Sequence, residues 1–332
     1  LGSGMDNAPR DAAFDAWVDI SAQQALGRRV LGELRTALGD DGSAERAEAE
    51  RLCGEIRRLC WNQAEGFFFD VGWGGALLGD KTLAGIWPLV AGCASPEQTE
   101  RVVGHLTDPA EFWRVHAFAS TAADSPAFDP QGHYWRGGVW APTNYATIRA
   151  LADAGYHELA RRAAANHLRN LSAVWRDFEP APGQLAADAN GDGRRTLWEL
   201  YAPDALAPGT RWDAQYLGRQ RFVGWSGLGP IALLLEQIIG LEADAATDTL
   251  RWRLSRSDEH GVRGYRFGDQ LVDLVAQPRG EVDAPLLIDV STSDAFTLVV
   301  ELGGVEHRLD VPRGTSTQIG RASCRERVCY VV

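Results

Sequence analysis

Two carboxylates in unusual settings are the residues of this sequence best placed to do chemistry. Asp6 lies in Gly4-Met5-Asp6-Asn7-Ala8-Pro9-Arg10, where Gly and Pro keep the backbone loop-like and leave the side chain free of helix duties. Glu199 lies in Thr196-Leu197-Trp198-Glu199-Leu200-Tyr201, between two aromatics whose rings exclude water. Two carboxyl groups suit hydrolysis of a glycosidic bond. One, protonated, donates to the leaving oxygen, while the other, ionised, activates water or attacks directly. Spacing alone leaves other uses open: Asp6 also suits an N-cap of the first helix, and Glu199 a solvated or salt-bridged loop acid.

A third stretch, His133 to Tyr145, packs Tyr134, Trp135, Trp140 and Tyr145 together with Arg136 and Asn144, interrupted by Gly137-Gly138 and Pro142. Aromatic faces stack on the C–H faces of sugar rings, and Arg and Asn reach hydroxyls in fixed geometry. The Gly pair permits close backbone approach, and Pro142 suits the first turn of a helix. The same residues also fit a Trp-rich core turn. The two acidic stretches favour reading all three as a carbohydrate-processing site.

These segments resemble the signatures of glycoside hydrolase family 63 and its bacterial mannosylglycerate/glucosylglycerate hydrolase relatives. Gly4–Arg10 is similar to the acid-bearing motif, and the related trehalases carry a comparable Gly-x-Asp segment followed by Arg. Tyr134-Trp135-Arg136-Gly137 with Trp140 and Asn144-Tyr145 resembles the central signature, Thr196–Tyr201 the Glu-x-Tyr segment of the general base, and Phe222–Pro230 the closing signature. Four motifs in order span residues 1 to about 310. The resemblance implies an all-α (α/α)6 toroid and an inverting α-glycosidase with Asp6 as general acid and Glu199 as general base. It implies substrate contacts from Asn7, Arg10, Tyr134, Trp135, Arg136, Trp140, Asn144, Tyr145, Tyr201 and Trp225. Two departures stand out: Ala8 replaces the usual hydroxyl residue, and Gly138 stands where Pro is frequent.

A competing motif overlaps the same acid. Asp188, Asn190, Asp192, Gly193 and Glu199 fit an EF-hand calcium loop, with Glu199 at the twelfth position. Against it, Pro180 and Pro182 precede the loop, Arg195 occupies its usually apolar eighth position, and Pro203 stops a long exiting helix. No zinc spacing, phosphate-cradling Gly loop or Ser-His-Asp arrangement stands out, so the sequence calls for no metal and no cofactor.

The elements that must carry these residues are mainly helices. Helical periodicity covers Asp11–Leu38, with an apolar stripe of Trp17, Ile20, Leu26, Val30 and Leu34, and Ser43–Trp61, with Leu52, Ile56 and Leu59 on one face. Another helix is expected over Leu83–Gly92. Ser95-Pro96-Glu97-Gln98 is a capping box that opens a helix to Leu106. Helices follow from Pro142 to Gly155 and from Tyr156 to Trp175. The long irregular stretches Asp108–Gln131 and Asp177–Arg221 suit loops that line a site. Gly229–Gly240 is almost wholly apolar and predicts a helix buried on most sides. Period-two alternation then takes over in Leu250–Leu254, Gly264–Phe267 and Phe296–Val300. The expected organisation is a partial catalytic toroid over residues 1–245 and a small β module over 246–314.

Both ends bear on this reading. The chain opens Leu-Gly-Ser-Gly directly on the Asp6 motif, and seven or eight helices are legible where the resemblance implies twelve. The first helical pairs are therefore expected to be missing and the chain to be inactive or nearly so. Residues 318–332 resemble read-through of a sequencing adapter and are expected to be foreign to the fold.

The 332 residues carry a net charge of −12 with no basic stripe, which argues against nucleic acid as a partner. No apolar run approaches the ~20 residues a membrane helix needs. Twelve Trp in a chain that is 45% hydrophobic fit a sugar-binding cleft and a small saccharide partner. Outside the tail, Cys53, Cys60 and Cys93 form an odd, unpatterned set that reads as small core residues in a reducing, cytoplasmic setting. A trehalase-like or oligosaccharide α-glucosidase, a non-catalytic sugar-binding scaffold and a calcium-regulated module are the rival readings.

Overall fold

The computed structural model describes residues 3–10, 14–281 and 284–320. The chain divides into two compact units, 1–230 and 231–332. The division falls at Pro230/Ile231, ahead of the change in sequence periodicity.

The first unit is mixed α and β, which corrects the all-α expectation. It opens with a short strand β1 (Phe14–Ala16), followed by α1 (Val18–Ala37) and α2 (Ser43–Leu59). Four two- or three-residue strands come next: β2 (Trp61–Asn62), β3 (Phe67–Phe68), β4 (Asp70–Gly72) and β5 (Leu77–Leu78). A tight 3₁₀ turn, Leu83–Ile86, leads into α3 (Trp87–Val90), in place of the single helix expected from Leu83 to Gly92. The helices α4 (Pro96–Thr107), α5 (Ala141–Asp153), α6 (His157–Asp177) and α7 (Val223–Ser226) complete the unit.

Helix α1 begins seven residues later than its periodicity suggests, because Phe14 and Ala16 pair with Gly72 and Val71 of β4. Asp70 on that strand then caps the helix by accepting the Val18 N–H at 3.0 Å. The buried face also differs from the expected apolar stripe: α1 buries Val18, Asp19, Ala22, Ala25 and Gly32, while Ile20, Val30 and Leu34 are exposed. Small residues win the inner face because α1 and α2 approach at the backbone. A Cβ on Gly42 would lie 2.0 Å from the Gly32 carbonyl oxygen. The capping box of α4 is present as read, with Gln98 N–H donating to Ser95 Oγ and the Ser95 N–H donating to Gln98 Oε1.

Cys53 on α2 is disulfide-bonded to Cys93, which corrects the expectation of isolated core thiols and removes the ground on which a reducing setting was inferred. The pairing joins residues 40 positions apart, beyond the reach of any local pattern. Cys60 stays a buried thiol, and burial pushes it up to about 12.

The apolar helix Gly229–Ile239 forms with wide-turn hydrogen bonding, and Gly240 N–H closes it onto the Leu235 carbonyl at 3.0 Å. It is not buried on most sides: Leu233 is buried, whereas Ile231 is 62% exposed. All-round apolarity permits burial on any face but does not choose which faces are covered.

The second unit is a pair of four-stranded sheets. One has the order β12-β11-β7-β6 and the other β13-β10-β9-β8. The strands are β6 (Leu241–Asp244), β7 (Thr249–Leu254), β8 (His260–Phe267), β9 (Gln270–Ala276), β10 (Leu286–Thr292), β11 (Phe296–Leu302), β12 (Val305–Val311) and β13 (Gly314–Gly320). Alternate residues such as Leu250, Trp252, Leu254, Leu274, Ile288 and Val300 form one core, as the period of two requires. Strand β13 pairs with β10 along its full length, Thr292↔Gly314 to Leu286↔Gly320. The edge strand therefore runs past Gly314 to Gly320, over the first residues of the stretch read as foreign to the fold. Residues 321–332 lie outside the described residues.

Candidate active site

Four segments of the first unit meet: the 4–10 loop, the aromatic stretch 133–140, the 196–201 segment and the 217–226 segment. Asn7 makes the first junction. Its Oδ1 accepts the Trp135 N–H at 2.8 Å, and its Nδ2 donates to the His133 carbonyl at 3.1 Å. Its own carbonyl accepts from Arg136 Nε at 3.2 Å. The loop is anchored again at Arg10, whose guanidinium donates to Asp19 and Asp70 through hydrogen bonds of 2.6–2.9 Å. Burial opposes that charge, yet the hydrogen bonds to Asp70 and Asp19 outweigh it and push Arg10 up. Asp6, exposed, is thus carried directly ahead of a loop held at Asn7 and Arg10.

Glu199 is 5% exposed and both its oxygens are engaged. Oε1 accepts from the Tyr134 hydroxyl at 3.3 Å, and Oε2 accepts the Arg219 N–H at 3.2 Å. Its backbone is held as well, by Glu199 N–H to the Arg219 carbonyl at 2.8 Å and by Trp225 Nε1 to the Glu199 carbonyl at 3.0 Å. Neighbouring Trp198 is fixed by Ser226 Oγ, which donates to its carbonyl at 2.5 Å.

Tyr134 connects the two acids. It sits in the left-handed region at φ 53°, a conformation uncommon for an aromatic residue. Its N–H donates to the Thr210 carbonyl at 3.0 Å, and its carbonyl accepts from Gly138 N–H and Trp140 Nε1. Gly138 is required by closeness: a Cβ there would lie 2.2 Å from the Tyr134 carbonyl oxygen. Burial, followed by the negative charges of Glu199 and Asp6, pushes the Tyr134 phenol up to about 12. It therefore stays a hydrogen-bond donor at neutral pH, with Glu199 as its acceptor.

The aromatic cluster is continuous. Trp135 stacks on Trp140 with ring centroids 4.1 Å apart and planes 9° from parallel, and Trp225 meets Trp140 edge-on at 5.5 Å. Trp140 is fully buried, so its ring supports Trp135 and Tyr134 and is not open to a ligand. Arg136 is exposed, and Tyr145 and Trp225 are half-buried.

Three expected ligand contacts are withdrawn by their partners. Arg10 is consumed by Asp19 and Asp70. Asn144 is buried, accepting the Phe118 N–H at 2.9 Å and donating to the Ala117 carbonyl at 2.8 Å, so it secures the 116–118 loop. Tyr201 is buried, its hydroxyl accepting the Trp198 N–H at 3.2 Å and its backbone bridging to Val139. Burial pushes that phenol up. Each residue has the donors a sugar would want, but a side chain already satisfied in the interior cannot serve one.

The calcium-loop pattern is also pulled apart. Asp188 accepts from Arg211, Asp192 accepts the Arg194 N–H, and Glu199 faces Tyr134 and Arg219. Among the described residues no group of three or more His, Cys, Asp or Glu is placed to hold a metal ion.

Sequence reading missed Arg219, whose N–H grips Glu199, and the pair His116 and His167. Only the position of Arg219 just ahead of the closing signature could have flagged it. The two histidines, scattered in sequence, meet in the core with Nε2 of His116 2.8 Å from Nδ1 of His167, beside Asn144. Burial pushes both down, His167 to about 4.

The first unit thus brings the Asp6 loop, the aromatic stretch and the Glu199 segment together. Residues 3–195 match the family profile of the mannosylglycerate hydrolase MGH1-like glycoside hydrolase domain, and the chain belongs to that family. It is 24% identical to the family 63 mannosylglycerate hydrolase of Thermus thermophilus, crystallised with Tris, at a TM-score of 0.50 over 66% of this chain and 45% of that one. A solved structure described as a sialidase superposes on 92% of this chain and 25% of that one, with a TM-score of 0.53 at 14% identity. An uncharacterized protein of Borreliella burgdorferi is 21% identical over 317 residues, covering 94% of this chain and 64% of the relative. The chain thus spans less than two thirds of these relatives. The fold resembles the six-hairpin glycosidase toroid with an appended β-sheet region. Among the described residues no helix is long and apolar enough to cross a membrane.

Proposed function

We propose that this chain carries the acid–base pair of an inverting α-glycosidase acting on a small α-glucoside or α-mannoside of the glycosylglycerate kind. Its first unit is then part of an (α/α)6 toroid. The observation that carries the reading is Tyr134, hydrogen-bonded to Glu199 and under the charge of both Glu199 and Asp6. In this reading Asp6, on its anchored loop, enters protonated and donates to the leaving glycosidic oxygen. Glu199 takes a proton from water as that water attacks the anomeric carbon from the opposite face. Tyr134 O–H and Arg219 N–H hold the Glu199 carboxyl in a fixed orientation. The two carboxyl groups should stand roughly 6.5–9.5 Å apart to admit the water.

The test is hydrolysis of a panel of α-glucosides, α-mannosides and trehalose by a longer protein that supplies the helical pairs expected ahead of Asp6, with this chain assayed beside it and the product anomer followed by NMR. Release of the β-anomer by the longer protein, abolished in Asp6→Asn and Glu199→Gln, is the expected result, with little or no turnover by this chain alone. Preference for trehalose or longer oligosaccharides would move the substrate to the trehalase-like or oligosaccharide α-glucosidase class. Saturable sugar binding without turnover would replace the enzyme with a binding scaffold.

A further inference from the structure

A second cavity, of about 380 Å³, opens between the 185–190 loop and the 217–222 segment. Its size is within the range of small-molecule sites. We propose that it binds a small ligand bearing an oxyanion group, a carboxylate or a phosphate ester. Three arginines, Arg211, Arg219 and Arg221, line it, against one acid, Asp188. Arg211 is paired with Asp188 at 3.3 Å, whereas among the described residues no ion pair engages the Arg219 or Arg221 guanidinium. Arg219 and Arg221, both exposed, thus line one cavity in a chain whose net charge is −12. Such groups present planar forks that match carboxylate and phosphate oxygens two at a time.

The cavity is preformed. Leu217 N–H donates to the Gln184 carbonyl at 3.0 Å and fixes one wall to the other. Gln220, buried, donates to the Gly191 carbonyl at 2.8 Å and accepts the Gly193 N–H at 2.5 Å. Arg221 N–H is tied to Thr196 Oγ1 at 2.8 Å, and Arg221 itself holds a left-handed backbone at φ 55°. A long charged residue in that conformation is uncommon, and such positions concentrate at ligand clamps. Leu217 and Phe222 add apolar surface, so the ligand has a carbon body as well as its anionic end. Arg219, which lines this cavity, also holds the Glu199 carboxylate through its backbone N–H. The inference does not depend on the glycosidase reading, since binding is measured without turnover.

Calorimetric titration of the purified chain with sodium phosphate and, separately, with sodium lactate, at an ionic strength fixed by sodium chloride, tests it. Saturable binding of at least one probe is expected, and the probe that saturates more tightly identifies the phosphate or the carboxylate source. The double variant Arg219→Gln/Arg221→Gln should weaken that binding tenfold or more, while Arg28→Gln on the exposed side of α1 should leave it unchanged. Should circular dichroism show the double variant unfolded, the single variants decide, each expected to weaken binding at least threefold. Absence of saturable binding by either probe, or equal affinity in the arginine variants, overturns the proposal.

Discussion

Asn7 and Trp135, 128 residues apart, are joined by a 2.8 Å hydrogen bond from the Trp135 N–H to the Asn7 side-chain oxygen. The amide of Asn7 is used at both ends, since its nitrogen donates to the His133 carbonyl. This one side chain sets the Asp6 loop against Tyr134. Replacing Asn7 with Ala removes both bonds, at about 0.5–1.5 kcal/mol each. Thermal denaturation should show that small loss, whereas kcat should fall more than tenfold because the acid loses its position. A variant with unchanged kcat would deny Asn7 its positioning role.

Arg10 is expected to act on stability and not on substrate affinity. Its guanidinium lies between two buried carboxylates, with side-chain exposures of 7%, 2% and 5% for Arg10, Asp19 and Asp70. Removing the cation strands both charges in the interior, a change that costs about 3–5 kcal/mol. Urea denaturation of Arg10→Met should report that loss, and Arg10→Lys should recover only part of it because one ammonium cannot bridge two carboxylates as a fork does. A variant with native stability and a raised KM would return Arg10 to the substrate.

The Tyr134 phenol, pushed up to about 12 by burial and by Glu199 and Asp6, binds its proton more tightly in the folded chain than in the unfolded one. Its contribution to stability is therefore complete below about pH 10 and is lost as pH rises towards 12. Absorbance at 295 nm should show this tyrosine titrating late. Tyr134→Phe should take one tyrosine out of the late phase, leaving Tyr201, which burial also pushes up, and lower kcat with little change in fold, since only the hydroxyl contact to Glu199 is lost.

His116 and His167 give the opposite dependence. Both are fully buried and held neutral, with His167 pushed down to about 4, so the unfolded chain binds more protons below pH 6.5. Their contribution is present above about pH 6.5 and fades as pH falls towards 4, on the order of 3 kcal/mol for His167. Melting temperature measured from pH 7.5 to 4.5 should fall across that window. The slope should flatten in His116→Gln/His167→Gln if that variant folds, and a flat profile in the parent chain would contradict the assignment.

The Cys53–Cys93 bond closes a loop of 40 residues, a closure associated with roughly 2–4 kcal/mol. Dithiothreitol should lower the melting temperature, and thiol titration after unfolding should detect the two added sulfhydryls. An unchanged melting temperature with both sulfhydryls free would place the stabilisation elsewhere.

The sequence by itself determined features that depend on neighbours in the chain. The capping box at Ser95, the helical periodicity of α6 and the alternation of Leu250, Trp252 and Leu254 are local patterns, and each appears as read. The four motifs likewise identified the family, because residue types and order survive without knowledge of contacts. Tertiary structure decided which polar groups remain free. Asn144 and Arg10 carry sugar-binding chemistry in their side chains, but the Ala117 carbonyl and the Asp70 carboxylate, 27 and 60 residues away, engage them first, and Tyr201 is buried with its hydroxyl on the Trp198 N–H. It also chose the inner face of α1, where Ala22, Ala25 and Gly32 displaced the larger apolar residues because the helices approach at the backbone. Periodicity fixes which residues share a face. Only long-range packing fixes where that face points, and hence which of several suitable side chains is left for chemistry.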